Sequence, residues 1–242
     1  MIKGDEVLIS GINSRIEIKF RKMLKKAIAE PTSIDLVTLS SKRQAAELIE
    51  ANLQGSVLFS NRVKIQEYAA RLSANHPGDF LEMGVYKGTS ISRFSRFYKD
   101  YGVKKSLIGI DTFKGLDDAW SNVDHLDAFD LKGNPPKLGD PQITLLVGSV
   151  IDVLPGWLKE NEVELSLVHF DMDLYEPTKF ALELLKGKLR PGSLVLFDNL
   201  HSYPGWQYGE YRALTEVFPN HEFVYRAFGP YQCLIQLSHT NE

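Results

Sequence analysis

Carboxylates finish three short apolar runs in this sequence, and that repetition is its first chemical signal. Asp111 ends Leu107-Ile108-Gly109-Ile110-Asp111 and follows Glu82 by 29 residues. Asp171 ends Leu165–Asp171, and 27 residues later Asp198 and Asn199 end Leu196-Phe197-Asp198-Asn199. Glu82 lies inside Phe80-Leu81-Glu82-Met83, just before the glycines Gly84 and Gly88. A carboxylate at such a tip can accept hydrogen bonds from both hydroxyls of a ribose. Two carboxylates and an amide oxygen converging on one point are hard oxygen donors; they suit magnesium or manganese rather than zinc. Three carboxylates at a half-buried edge are costly without partners, so a ribose and a cation form a natural pair of ligands.

The elements that must position these acids follow from periodicity. After His76-Pro77-Gly78 the chain alternates short apolar runs with amphipathic stretches. The runs predict strands at Asp79–Met83, Ser106–Asp111, Ile143–Val147, Leu165–Asp171 and Ser193–Asp198. Helices are predicted at Ser90–Tyr101, Ile151–Glu160, Thr178–Lys188 and Gly209–Phe218. This order indicates βαβ units, hence an α/β fold with a doubly wound, mostly parallel sheet. Ligands of such sheets bind beyond the C-terminal ends of the strands, where the acids fall. The tail, His221–Ala227 and Gln232–Leu237 around Phe228-Gly229-Pro230-Tyr231, reads as an antiparallel hairpin. A crossover of 27 residues returns to a neighbouring parallel strand, so the tips bearing Asp171 and Asp198 should lie side by side.

Residues 1–75 read as an N-terminal helical extension that packs on or covers a core of 76–242. Ile16, Phe20, Met23, Leu24 and Ala27 form one helical stripe, with Arg15, Lys19, Lys22, Lys25 and Lys26 on the rest of the surface. Two further helices are expected at Ser41–Asn52 and Arg62–Ser73. The segment from Thr112 to Asp140 carries six acids against three lysines and ends in breaker-rich sequence. A connection this long is a lid or binding loop, and its charge suits a neutral or cationic acceptor.

Composition narrows the classes. With 242 residues, 43% apolar and 24% charged, the chain is an ordinary globular one, and a net charge of −3 without a basic stripe argues against nucleic acid as partner. The single cysteine, Cys233, excludes an internal disulfide framework and a cysteine zinc site. No uncharged run is long enough for a membrane span, and the first residues lack the plan of a signal peptide, so a cytoplasmic location is expected. Neither a nucleophile elbow nor a Walker-type loop is present.

The ordered set of motifs resembles one family. Glu82-Met83-Gly84-Val85 with Gly88-Thr89-Ser90, Gly109–Leu116, Gly148-Ser149 with Leu154-Pro155, His169–Tyr175 with Thr178, and Pro191-Gly192 with Phe197-Asp198-Asn199 are similar to the macrocin O-methyltransferases. These are S-adenosylmethionine (SAM) enzymes that methylate sugar hydroxyls on antibiotics, and the resemblance covers about residues 78–216. It implies a seven-stranded sheet and a divalent cation, usually magnesium. It also implies that Glu82, Gly84, Val85, Gly88, Thr89 and Ser90 line the methionine end of SAM, and that Asp111 and Thr112 meet its ribose. Phe113 and the Gly148-Ser149 turn would flank the adenine. Asp171, Asp198 and Asn199 would hold the cation. The family pattern has Asp-Asp where this chain has Asp198-Asn199, the catechol-type arrangement, yet the catechol-type lysine position is Leu174.

The expectation is a SAM-dependent, metal-assisted O-methyltransferase acting on a small hydroxylated acceptor, assembled as a homodimer or larger oligomer. Asp171, or Asp173 beside it, would take the proton. His201 is the outside candidate for substrate contact. His169 reads as a packed strand histidine, and Tyr203, Trp206 and Tyr208 as an aromatic wall or as core and rim. The alternatives are a SAM-binding protein without turnover and a nucleotide-cofactor oxidoreductase on a similar sheet.

Overall fold

The computed structural model describes residues 32–115 and 129–238. The basic helical stripe at 16–27 and residues 116–128 of the acidic 112–140 segment lie outside the described residues.

Among the described residues eight strands form one sheet in the order β1-β7-β8-β6-β5-β2-β3-β4. They are β1 (Val57–Leu58), β2 (Asp79–Met83), β3 (Leu107–Asp111), β4 (Ile143–Val147), β5 (Leu165–Phe170), β6 (Leu189–Phe197), β7 (Phe223–Phe228) and β8 (Cys233–Leu237). The helices are α1 (Ser33–Ala51), α2 (Arg62–Ala74), α3 (Thr89–Asp100), α4 (Val150–Glu160), α5 (Tyr175–Leu185) and α6 (Glu210–Val217), with a 3-10 turn at Trp206–Tyr208. β2 pairs in parallel with β3 and β5, and β6 joins β5 in parallel. β8 runs antiparallel to both β6 and β7, so the tail is the hairpin its turn implies. The doubly wound α/β class stands. The count of seven strands is corrected to eight by β1, whose two residues pair with Ala227 and Phe228.

β6 also begins earlier than the sequence suggests. Arg190-Pro191-Gly192 reads as a turn, but a register shift between Leu165 and Leu167 on β5 absorbs it as a bulge inside the strand.

Strand alternation divides the core into two layers. Leu81, Met83, Ile108, Ile110, Val168, Phe170, Val195 and Phe197 pack on the face that α4, α5 and α6 cover. Phe80, Leu107, Leu167 and Leu196 pack on the other, with Ile65, Ala69 and Ala70 of α2 and Ile91 and Phe94 of α3. Glu82 and His169 lie two residues beyond Phe80 and Leu167 on their strands, so both point into the α2–α3 layer. Contacts separate residues 1–39 from a larger compact unit, 40–242, and α2 belongs to the larger unit. In the smaller unit, Thr32 caps the start of α1 by exchanging hydrogen bonds with Asp35. Among the described residues, no helix is long and apolar enough to cross a membrane.

Candidate active site

The C-terminal strand tips open on a cavity of about 820 Å³. Its lining includes Gly84, Val85, Thr89 and Ser90 from the β2–α3 turn, and Asp111 and Thr112 from β3. Gly148 and Ser149 follow β4, and Asp171, Asp173, Asp198 and Asn199 follow β5 and β6. Twelve of the residues singled out from sequence therefore meet in one place.

The β2–α3 turn is held by Asp111. Its Oδ2 accepts the backbone N–H of Val85 at 2.6 Å and of Tyr86 at 2.7 Å, and its Oδ1 accepts that of Phe113 at 2.7 Å. An ionised carboxylate offers about four acceptor sites, so one, on Oδ1, is left for a ligand hydroxyl. Asp111 thus builds the turn as well as facing the cavity. Gly84 sits at φ +87, and a Cβ there would lie 1.8 Å from the Asp171 carbonyl oxygen. Only glycine lets the tips of β2 and β5 approach this closely.

Four expected site residues do not line the cavity. The Phe113 ring is fully buried in the α2–α3 layer because its backbone turns left-handed at φ 55. Apolar lining comes instead from Ile110, Ile151 and Phe129, whose ring packs edge-on to Tyr86. Glu82 lies under the cavity floor, where Oε1 accepts the Ser90 hydroxyl at 2.7 Å and Oε2 meets His169 Nδ1 at 3.1 Å. Gly88 packs against the Leu138 side chain. His201 is buried beside Gln232 O and Ser202 Oγ, and burial pushes its pKa down to about 4, so it stays neutral away from the acids. Of the aromatic wall only Tyr203 lines the cavity; Trp206 is buried with its ring N–H toward Ser41 O, and Tyr208 is exposed.

The acid group is crowded. One ligand atom each of His169, Asp171 and Asp198 lies within 4.8 Å of the others. Asp198 is almost fully buried, with Oδ2 2.9 Å from Arg62 Nη2 and Oδ1 accepting from Gln232 Nε2. His169 Nε2 stands 3.7 Å from Asp198 Oδ1, too long for a hydrogen bond but within ion-pair range. Burial works against protonating His169, but the carboxylates of Asp198 and Glu82 on either side raise its pKa to about 10. Burial works to raise Asp198, yet His169, Arg62 and Gln232 hold it below the usual carboxylate range. Asp171 is pushed well up by burial and by the Asp198 charge, and Asp173 to about 6 by the same two causes. Glu210 is pushed up by burial and then by Asp173 and Asp198; its Oε2 accepts the Asn199 N–H at 3.1 Å. Asn199 gives its side-chain N–H to Asp173 Oδ1, which leaves its amide oxygen as an acceptor.

A divalent cation fits this group. The donors of Asp171, Asp198 and Asn199 are hard oxygens, and the Asp198 charge adds to burial in raising Asp171 and Asp173. Sequence reasoning missed Arg62, Gln66, Arg93 and Tyr231 in the lining and Glu210 and Gln232 behind it. His169 had a signal, a histidine two residues before Asp171 on the same face, but its partner Glu82 is visible only once β2 and β5 are known to pair.

Comparison with known proteins agrees with this geometry. Residues 81–200 match the family described as "Methyltransferase domain". A curated relative is the 8-demethyl-8-(2,3-dimethoxy-alpha-L-rhamnosyl)-tetracenomycin-C 4'-O-methyltransferase of Streptomyces olivaceus. It is 27% identical, and the match covers 58% of this chain and 63% of that protein's length. Among solved structures, CalS11, a calicheamicin methyltransferase, aligns over 87% of this chain and 95% of its own, with TM-score 0.61 and 24% identity. The O-methyltransferase NovP aligns over 74% and 80%, with TM-score 0.57 and 19% identity, a likeness of fold. Over residues 81–200 the chain is therefore similar to a methyltransferase domain.

Proposed function

We propose that this chain is a SAM-dependent, divalent-metal-assisted O-methyltransferase whose acceptor is a hydroxyl of a small molecule, a sugar or a glycosylated polyketide. The observation that carries the reading is the single cavity shared by Asp111 and by the Asp171, Asp198 and Asn199 oxygens. Its volume suits a nucleoside-containing cofactor and a small acceptor together. The curated relative, named for methylating a rhamnosyl hydroxyl of a tetracenomycin, supports this acceptor class.

SAM would supply the methyl group and the cation would favour the ionised form of the acceptor hydroxyl. Everything else falls to residues of the chain. The free lone pair on Asp111 Oδ1 accepts a ribose hydroxyl, and the Gly84–Tyr86 turn keeps the floor low enough for the cofactor to lie across it. Asp171, Asp198 and Asn199 would hold the cation. Asp173, with its pKa near 6, is mostly ionised at neutral pH and stands ready to take the hydroxyl proton. Leu174 lines the cavity where a catechol-type enzyme has lysine, which leaves no lysine base at that position.

Calorimetry tests the cofactor half of the reading. S-adenosylhomocysteine should bind the wild-type protein, while NAD should not; the reverse preference overturns the proposal in favour of a nucleotide-cofactor oxidoreductase.

A further inference from the structure

Two guanidiniums, Arg62 and Arg93, line the cavity, and the functional reading above leaves them unused. Arg62 opens α2; its side chain is half exposed, with Nη2 2.9 Å from Asp198 Oδ2. Arg93 lies on α3 one turn beyond Thr89, partly buried at the cavity wall. Its Nη1 donates to Oε1 of Gln66, a residue 1% exposed that also lines the cavity. Among the described residues no carboxylate comes within ion-pair distance of Arg93. Burial, then the neighbouring charges of Arg96 and Arg62, lower its pKa.

A guanidinium presents five N–H donors in a planar fork, and Gln66 occupies one of those of Arg93. A buried amide that fixes the direction of a second, desolvating cation beside the first is costly unless an anion completes the group. The two carboxylates that act on Arg93 through space are already engaged, Glu82 by Ser90 and His169 and Asp198 by Arg62, Gln232 and His169.

We infer that Arg62 and Arg93, oriented by Gln66, form an anion subsite of the cavity that takes a carboxylate or phosphate of a bound ligand. The inference rests on the proposed function, which supplies two sources for such a group. One is the α-carboxylate of the cofactor's methionine part. The other is the phosphate of an acceptor such as a nucleoside diphosphate sugar. The acceptor class deduced from the net charge of the 112–140 segment is then incomplete, because this wall accepts negative charge.

Calorimetry on the full chain separates the outcomes, with S-adenosylhomocysteine, 5'-methylthioadenosine (which lacks the carboxylate) and thymidine diphosphate as probes. If the anion is the cofactor's, Arg93→Gln weakens S-adenosylhomocysteine about tenfold or more and leaves methylthioadenosine unchanged. If it is the acceptor's, Arg93→Gln spares S-adenosylhomocysteine and removes thymidine diphosphate binding to the S-adenosylhomocysteine complex. Arg62→Gln should act in the same direction, and Arg93→Lys should restore part of the loss. Unchanged affinity for all probes in both variants overturns the subsite, and so does an equal loss of methylthioadenosine, which marks a structural role. A wild-type protein that binds neither nucleoside probe contradicts the cofactor reading itself.

Discussion

The carbonyl oxygen of Asp171 occupies the place where a side chain at Gly84 would begin: a Cβ there would lie 1.8 Å from it. The Asp171 N–H continues this contact by donating to Met83 O at 2.9 Å. The cofactor-side turn and the acid group are thus one rigid unit. Gly84→Ala combines a left-handed backbone with a backbone clash, so it should cost more than about 2 kcal/mol of stability. Urea unfolding measures this, and a variant as stable as wild type would show that the two tips move independently.

Asp111 has two duties that a single variant exposes together. Asp111→Ala leaves the N–H groups of Val85, Tyr86 and Phe113 without their acceptor, a loss of roughly 2–5 kcal/mol for partly buried donors. S-adenosylhomocysteine affinity should fall at least about tenfold while the melting temperature drops. Weakened binding at unchanged stability would mean that Asp111 serves the ligand alone.

Asp198→Asn tests the cation. It keeps the shape of the side chain but lowers the charge shared with Asp171, so Mn²⁺ binding followed by electron paramagnetic resonance should weaken by about tenfold or more. S-adenosylhomocysteine affinity should stay within roughly threefold of wild type, since among the described residues Asp198 makes no hydrogen bond to Asp111 or to the β2–α3 turn. Equal Mn²⁺ affinity in both proteins would remove Asp198 from the ligand set.

Asp140 ties the end of the long β3–β4 connection to α3. Its Oδ2 accepts from Ser95 Oγ and Lys99 Nζ, both at 2.5 Å, and its pKa falls to about 2, chiefly through the Lys99 and Ser95 hydrogen bonds. A carboxylate held below its unfolded value stabilises the fold above about pH 4, and that contribution disappears as pH falls toward 2. Asp140→Asn should therefore lower stability at pH 7 by up to about 1 kcal/mol, or about 2–4 °C in melting temperature. Wild type and variant should converge near pH 2. Thermal melts across this range check the sign; a constant difference down to pH 2 would contradict the ionic origin.

Much of this architecture is legible in the sequence because each element is local. The apolar run of β5 and the amphipathic α3 announce themselves by period, and acids at three strand ends are visible before any pairing is known. Pairings across the sheet are not. Arg62 precedes Asp198 by 136 residues, and no periodicity links them. Glu82 and His169 meet because β2 lies beside β5, which turns an expected cofactor contact into a buried pair under the floor. Phe113 escaped correct placement because its left-handed backbone rotates the ring away from the strand tip into the core. β1 is too short for any pattern to reveal.

Methyl transfer itself is the most direct test. The protein is incubated with SAM carrying a deuterated methyl group, magnesium and a small-molecule extract from its host, and the products are read by mass spectrometry. The account expects one hydroxylated small molecule to acquire the labelled methyl on oxygen, with labelling abolished by EDTA, restored by magnesium and absent with Asp198→Asn. Folded protein that binds S-adenosylhomocysteine yet labels nothing, or that labels its acceptor fully in EDTA, would contradict it.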